Sequence, residues 1–317
     1  MRYIISFLLT SAALPALAEV PRVVTDIPPV HAITAQVMGD LGQPELLLDR
    51  GANAHNYQMR PSQAASLADA GLVIWIGPEM TPWMDRALDA LSPDVPRLGL
   101  LAAKGTFPRE FGDTSAHGHA DDDHDQAEVA KTDDHVGDDD GHSHTGLDPH
   151  AWLDPANAKV WADVIATELS RLDPENAAIY AANAAATQAR VAVLDAELES
   201  ILAPVAGKPF VVYHDAYGYF ASHFGLTLLG SVSLGDARSP GAARVRDLAQ
   251  KIADGSDLCL FPEAQHDPVL IQQMADGTSA RIGAALDPSG STLDPGPDAY
   301  DALMRALATN IVACLNG

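Results

Sequence analysis

Residues 174–202, PENAAIYAANAAATQARVAVLDAELESIL, form the segment around which the rest of the chain is organised. One stripe runs along it at a spacing of three or four residues: Tyr180, Ala184, Thr187, Val191, Leu194, Leu198 and Ile201. This spacing, with many alanines between, predicts one uninterrupted helix. At 1.5 Å per residue it would be on the order of 40 Å long, enough to run along two domains as a stiff connector. A long helix packed within a single domain is the alternative.

Short apolar runs alternate with helical patterns on both sides of this segment. The runs are residues 23–25, 46–48, 72–76 and 98–101 before it, and 210–213, 226–229, 258–261 and 282–286 after it. Such alternation predicts an α/β protein with two lobes, each a parallel sheet flanked by helices. We therefore expect an N-terminal lobe over residues 19–173, the connecting helix over 174–203 and a C-terminal lobe over 204–317.

The first 18 residues, MRYIISFLLTSAALPALA, have the pattern of a secretory signal peptide: a basic start, a short apolar core and a small-x-small end. The apolar core is too short for a membrane span of about 20 residues. We expect export to the periplasm without membrane insertion, as a monomer.

The charge distribution points to cations as ligands. The chain carries 43 acidic and 19 basic residues, a formal charge of -24, which argues against binding nucleic acid. Residues 113–146 are rich in aspartate and hold the histidines His117, His119, His124, His135, His142 and His144. We predict a disordered surface insertion that collects metal; an acidic loop that only aids solubility is the alternative.

The two cysteines are Cys259 and Cys314. In an oxidising compartment an even pair favours a disulfide, which would be worth roughly 4 kcal/mol on the chain-entropy model. Two buried free thiols are the alternative.

Three of the other histidines lie where a metal ligand is expected. His55 is in the polar loop GANAHNYQMRPS after a strand, His150 is in LDPHAWLDP before a helix that Asp154 caps, and His214 ends a strand in VVYHDAYGYF. Ligands of open parallel sheets bind outside the carboxyl ends of the strands. Two of the histidines belong to the first lobe and one to the second, so a metal that binds all three would lie between the lobes. Neutral imidazole is a usual ligand of Zn²⁺.

The segments GANAHNYQMRPS, DPHAWLDP, YHDAYGYF and LDPSGSTLDPGPDAY occur here in one order, with the acidic histidine-rich insertion between the first two. In these motifs the chain resembles the zinc-binding solute receptors of bacterial ABC importers, the ZnuA group of the cluster A-I binding proteins. The resemblance covers essentially the whole mature chain. It implies two lobes joined by a rigid helix, Zn²⁺ bound between them by His55, His150 and His214, and a Cys259–Cys314 disulfide. It also implies a membrane ABC permease with a cytoplasmic ATPase as the partner.

The fourth ligand is where this chain departs from some members of the group. They carry a glutamate next to the first histidine, whereas the neighbour here is Ala54. Manganese-binding relatives have carboxylates in place of the third histidine and as the fourth ligand. The corresponding late carboxylate is Asp287, and we expect Asp287 or water to complete the shell. Glu263 and Asp215 are expected to support the site or the fold.

Three other functions remain as alternatives. A zinc hydrolase also uses three histidines and a water, but no HExxH-type signature occurs in the sequence. A zinc buffer would depend on the histidine-rich insertion and hold several ions weakly. Manganese uptake is the alternative within the family, although His214 favours zinc because carboxylate-rich sites suit harder ions. We expect a receptor and no enzymatic activity.

Overall fold

The computed structural model describes residues 20–91, 94–112, 146–235, 241–255 and 258–317. Its strands are β1 Val23–Thr25, β2 Glu45–Leu46, β3 Leu72–Trp75, β4 Arg97–Gly99, β5 Pro209–His214, β6 Thr227–Ser233, β7 Cys259–Phe261 and β8 Arg281–Ile282. Its helices are α1 Pro28–Met38, α2 Pro61–Ala68, α3 Pro82–Leu91, α4 Pro155–Leu172, α5 Ala177–Leu202, α6 Gly218–His223, α7 Ala242–Asp254, α8 Val269–Ala275 and α9 Ala299–Asn316. The predicted signal peptide, and the predicted insertion except Gly146, lie outside the described residues.

Each half of the chain builds a four-stranded sheet with the same connectivity. The strand orders are β2-β1-β3-β4 and β6-β5-β7-β8, and every strand pair is parallel. Each of the eight predicted runs overlaps a strand, by a single residue for β2 and β8, and the predicted α/β architecture is confirmed. The last run is shorter than predicted: β8 ends at Ile282, and Leu286 forms only an isolated bridge with Glu263. We call the half before α5 the N lobe and the half after it the C lobe.

Helix α5 is the predicted long helix and contains 26 residues. It packs against α1 and α4 of the N lobe and against α9 of the C lobe. The predicted stripe is buried except at its end, where Leu202 is buried and Ile201 only partly so. One apolar core extends through both lobes along α5, and a smaller one covers the outer face of each sheet. The alternative of a helix packed within one domain is therefore wrong.

The two cysteines form the predicted disulfide. Cys259 in β7 is bonded to Cys314 in α9, with 6.2 Å between the Cα atoms and 55 positions between them in sequence. The alternative of two free thiols is wrong. The bond fastens the C-terminal helix to β7, an inner strand of the C-lobe sheet.

In the described part of the chain, no helix combines the length and the apolar character that crossing a membrane requires.

Candidate metal centre

Three histidine side chains converge between the lobes. His55 lies in the loop that follows β2, His150 precedes a 3-10 turn, and His214 is the last residue of β5. Nε2 of His150 is 3.2 Å from Nε2 of His55 and 3.3 Å from Nε2 of His214. A zinc ion with tetrahedral bonds of about 2.05 Å requires nitrogens about 3.3 Å apart. The N lobe supplies two of these donors and the C lobe the third.

Two buried carboxylates fix the orientation of two of these rings. Nδ1 of His150 is 2.7 Å from Oδ1 of Asp148, and Nδ1 of His214 is 2.6 Å from Oε2 of Glu263. The same carboxylates accept the backbone N–H of the histidine that they orient, at 3.0 and 3.2 Å. A neutral imidazole that donates from Nδ1 keeps a lone pair on Nε2. The Nε2 lone pairs of His150 and His214 therefore face each other across 3.3 Å. A cation between them would remove their mutual repulsion.

The loop that carries His55 is held by short contacts with the N lobe. Oδ1 of Asn53 accepts the backbone N–H of His55 at 2.9 Å, which makes a local turn. The indole N–H of Trp83 donates to the carbonyl of Ala54 at 2.7 Å. Together they place the imidazole of His55 beside that of His150, with 5.2 Å between ring centroids.

The space between the three rings is small. Its volume is about 10 Å³, and it is lined by Asn53, Ala54, His55, Met80, His150, Trp152, His214, Gln265, Pro288 and Ser289. A cavity of this size holds about one water-sized group. Among the described residues, none that lines this cavity carries a carboxylate.

The structure places Asp287 in the adjacent loop and not among the three imidazoles. Its carboxylate accepts the side-chain amide of Gln265 at 2.9 Å, the backbone N–H of Ser291 at 3.1 Å, and the N–H and hydroxyl of Thr292 at 2.8 and 2.7 Å. These bonds close the turn that follows β8. Asp287, one of the predicted candidates for the fourth position, is thus engaged by the residues of its own turn.

The other two carboxylates named from the sequence have different surroundings. Glu263 contacts His214 and also accepts the hydroxyl of Tyr217 at 3.2 Å. Asp215 lines a separate cavity of about 430 Å³ together with Arg244. Of these two carboxylates, Glu263 thus contacts a candidate ligand.

Burial controls the charge of Asp148. It raises the pKa of Asp148 to about 7, although the backbone N–H of His150 and the charges of Arg109 and His214 act to lower it. A divalent cation on Nε2 of His150 would favour the ionised carboxylate. Metal binding and ionisation of Asp148 therefore reinforce each other.

Sequence reasoning missed three residues that shape this centre: Asp148, Trp83 and Gln265. Asp148 could have been found, because an aspartate two residues before a histidine can accept that residue's backbone N–H. Nothing local in the sequence marks Trp83 or Gln265, which reach the site through tertiary packing. The six histidines of the insertion lie outside the described residues.

Two parallel-sheet lobes along one long helix, with imidazoles converging from both, define a two-lobed metal-binding solute receptor. The family model described as "Zinc-uptake complex component A periplasmic" matches residues 23–314. A "High-affinity zinc uptake system protein ZnuA" of Paracoccus denitrificans is 50% identical, covering 97% of this chain and 95% of its own. The protein of that name in Brucella suis is 37% identical over 93% of this chain and 91% of its own. The chain belongs to the ZnuA family of periplasmic zinc-uptake components.

Solved structures agree with this placement at the level of the fold. A structure described as "Crystal structure of ZnuA" superposes with a TM-score of 0.71, at 24% identity, and covers 93% of this chain and 99% of its own. The arrangement of two lobes on a long helix is thus shared.

Proposed function

We propose that this protein captures Zn²⁺ in the periplasm between its two lobes and delivers it to a membrane ABC permease driven by a cytoplasmic ATPase. His55, His150 and His214 bind the ion, and a water completes the shell. Membership of the zinc-uptake family supports the cargo, the compartment and the partners. The ligand assignment is our own inference from the geometry.

One observation carries the ligand assignment. Nε2 of His150 lies 3.2 and 3.3 Å from the Nε2 atoms of His55 and His214, while Asp148 and Glu263 hold Nδ1 of His150 and His214. Lone pairs that face each other at this distance repel unless a cation lies between them. Zinc is favoured over manganese because the donors are imidazole nitrogens and not carboxylate oxygens.

The geometry also supports a receptor over a hydrolase. A hydrolase of this kind needs a general base near the metal-bound water. Both carboxylates next to the ligands, Asp148 and Glu263, are engaged by the imidazole N–H groups. The site is thus suited to holding an ion, and an assay for zinc-dependent hydrolysis of esters and peptides should detect no turnover.

The histidine-rich insertion is assigned an accessory role. Its six histidines collect zinc, each more weakly than the three-histidine site; they are His117, His119, His124, His135, His142 and His144. The chemistry of imidazoles among carboxylates supports this role.

The test is zinc stoichiometry and affinity by competition with a chelator. We expect one tight equivalent in the mature protein, weakened by about 100-fold or more in each of His55→Ala, His150→Ala and His214→Ala, because each loses one of three protein ligands. The matched control replaces all six insertion histidines with glutamine and should keep the tight site. Tight binding that persists in all three single variants, and is lost in the control, would assign the metal to the insertion instead.

A further inference from the structure

The other edge of His214 faces a second group of potential ligands. Oε2 of Glu263 lies 2.6 Å from Nδ1 of His214 and 3.9 Å from Nε2 of His266. One potential ligand atom from each of the three residues lies within 4.8 Å of the other two. This group, which we call the C-lobe triad, uses Nδ1 of His214, whereas the interlobe site uses Nε2.

All three members of the triad belong to one lobe. His214 ends β5, Glu263 follows the neighbouring strand β7, and the backbone N–H of His266 donates to the carbonyl of Glu263 at 3.2 Å in the same turn. The interlobe site, in contrast, takes His55 and His150 from the N lobe. Separation of the lobes would remove two of its donors and leave the triad intact.

The His266 side chain is held in place by a ring stack and is still partly exposed to solvent, so an ion could reach it. Its ring stacks on that of Tyr213, with 4.1 Å between centroids and 21° between planes. Its side chain is 15% exposed, whereas those of Glu263 and His214 are 1% and 2% exposed. The stack holds the ring at the edge of the buried pair, with one side open to water.

We propose that the C-lobe triad is a second, weaker zinc site that holds the ion on the C lobe when the lobes separate. This role rests on the proposed function of the interlobe site. Binding requires the other tautomer of His214: water gives a proton to Nε2, the Nδ1 proton returns to water, and the ring is neutral before and after. Glu263 exchanges its hydrogen bond with His214 for a bond to the metal.

Movements of less than about 1 Å in the three side chains would bring the triad to the ligand spacing of a zinc ion. Ligands of a tetrahedral ion are about 3.3 Å apart, so Glu263 and His214 would separate slightly and His266 would approach. The hydrogen bond between Nδ1 of His214 and Glu263 supports the interlobe site and must break for the triad to bind. Zinc therefore occupies either the interlobe site or the C-lobe triad, but not both at once. Transfer of one ion from the interlobe site to the triad requires this.

The experiment uses the full mature chain with the six insertion histidines changed to glutamine and with His55→Ala and His150→Ala. Zinc titration against a chelator should give one equivalent, bound about 100-fold or more weakly than by the unmodified chain. Adding His266→Phe, which keeps the ring stack but has no donor atom, should weaken this binding about tenfold or more. Adding His266→Asp, which restores a donor, should recover most of it.

The outcomes separate this proposal from the proposed function. Equal zinc affinity with histidine or phenylalanine at position 266, in variants with matching thermal unfolding without metal, would overturn the triad. The interlobe site is judged on the otherwise unmodified chain, by whether His55→Ala and His150→Ala abolish tight binding.

Discussion

Asp148 and Glu263 decide which nitrogen of each imidazole faces the space between the lobes. Each carboxylate accepts both the Nδ1 hydrogen and the backbone N–H of the histidine that it orients. This double contact fixes ring orientation and backbone together, so Nε2 is left to bind a metal without losing a proton first. We therefore expect zinc affinity at this centre to depend also on two residues that do not bind the ion themselves.

A substitution of Asp148 should therefore weaken zinc binding without removing a ligand. We expect Asp148→Asn to lower zinc affinity about tenfold, because the neutral amide holds the Nδ1 hydrogen of His150 less strongly. Chelator competition measures the effect, and Asp163→Asn on the exposed face of α4 is the control. If Asp148→Asn binds zinc as tightly as the native chain, the carboxylate does not contribute to affinity.

At the scale of elements, His223 joins three helices. Its Nδ1 is 2.8 Å from Asp154, the N-cap of α4, and its Nε2 is 2.7 Å from Asp195 in α5, while His223 itself ends α6. Burial lowers the pKa of His223, but the hydrogen bonds and charges of Asp154 and Asp195 outweigh it and raise the pKa from 6.5 to about 9. Lys159 also contacts Asp195, at 3.3 Å. A charged imidazole thus links α6 of the C lobe to the N lobe and to α5.

This link predicts a pH-dependent stability. Because the folded-state pKa lies above the ordinary value, the stabilisation is complete below about pH 6.5 and is lost as the pH rises through about 9. The full effect is on the order of 3 kcal/mol. Urea unfolding of the zinc-free protein, native and His223→Gln, should give free energies of unfolding that differ most near pH 6 and converge above pH 9. Parallel pH profiles would show that His223 is not charged in the folded protein.

Local sequence patterns were sufficient to predict most helices and strands, but not every end of them. The stripe of α5 and the eight apolar runs were correctly assigned, because burial on a helix face or in a parallel sheet imposes a period or an apolar run. The end of β8 was not: its last paired residue is Ile282, opposite Leu260 of β7, and this pairing joins residues that are distant in sequence. The N-cap of α4 was predicted correctly: Asp154 accepts the backbone N–H of Ala156 at 2.8 Å.

At the scale of the whole molecule, the lobes also meet outside the metal centre. Arg50 of the N lobe donates to Asp294 at 2.7 Å and to the carbonyl of Thr292 at 2.8 Å, and the backbone N–H of Gly51 donates to the carbonyl of Ser291 at 2.9 Å. This contact lies between the loop that leads to His55 and the turn closed by Asp287. It fastens the two lobes close to the candidate ligands.

Removing this contact should speed zinc release. The Arg50 and Asp294 side chains are 65% and 86% exposed, so the ion pair contributes at most about 1 kcal/mol. We expect Arg50→Gln to raise the zinc dissociation rate about two- to fivefold at low ionic strength, with a smaller effect in high salt because exposed charges are screened. Stopped-flow transfer to a chelator measures the rate.

The matched control for this prediction is Arg97→Gln. Arg97 pairs with Asp89 at 2.8 Å within the N lobe, so its loss should leave zinc release unchanged. A dissociation rate that is the same in Arg50→Gln and the native chain would mean that the interlobe contact does not limit opening.

Four features could be predicted from the amino-acid sequence: the two parallel-sheet lobes, the long helix, the cysteine pair and the three candidate histidines. These follow from periodicity, from a count of two cysteines, and from the rule that ligands lie at the carboxyl ends of parallel strands. The tertiary structure alone decided that Glu263 supports His214, that Asp287 closes a turn, and that His223 links three helices. The physical reason is that a carboxylate acts through the atoms within about 3 Å of it, and those neighbours are 49 positions away for the pair of His214 and Glu263.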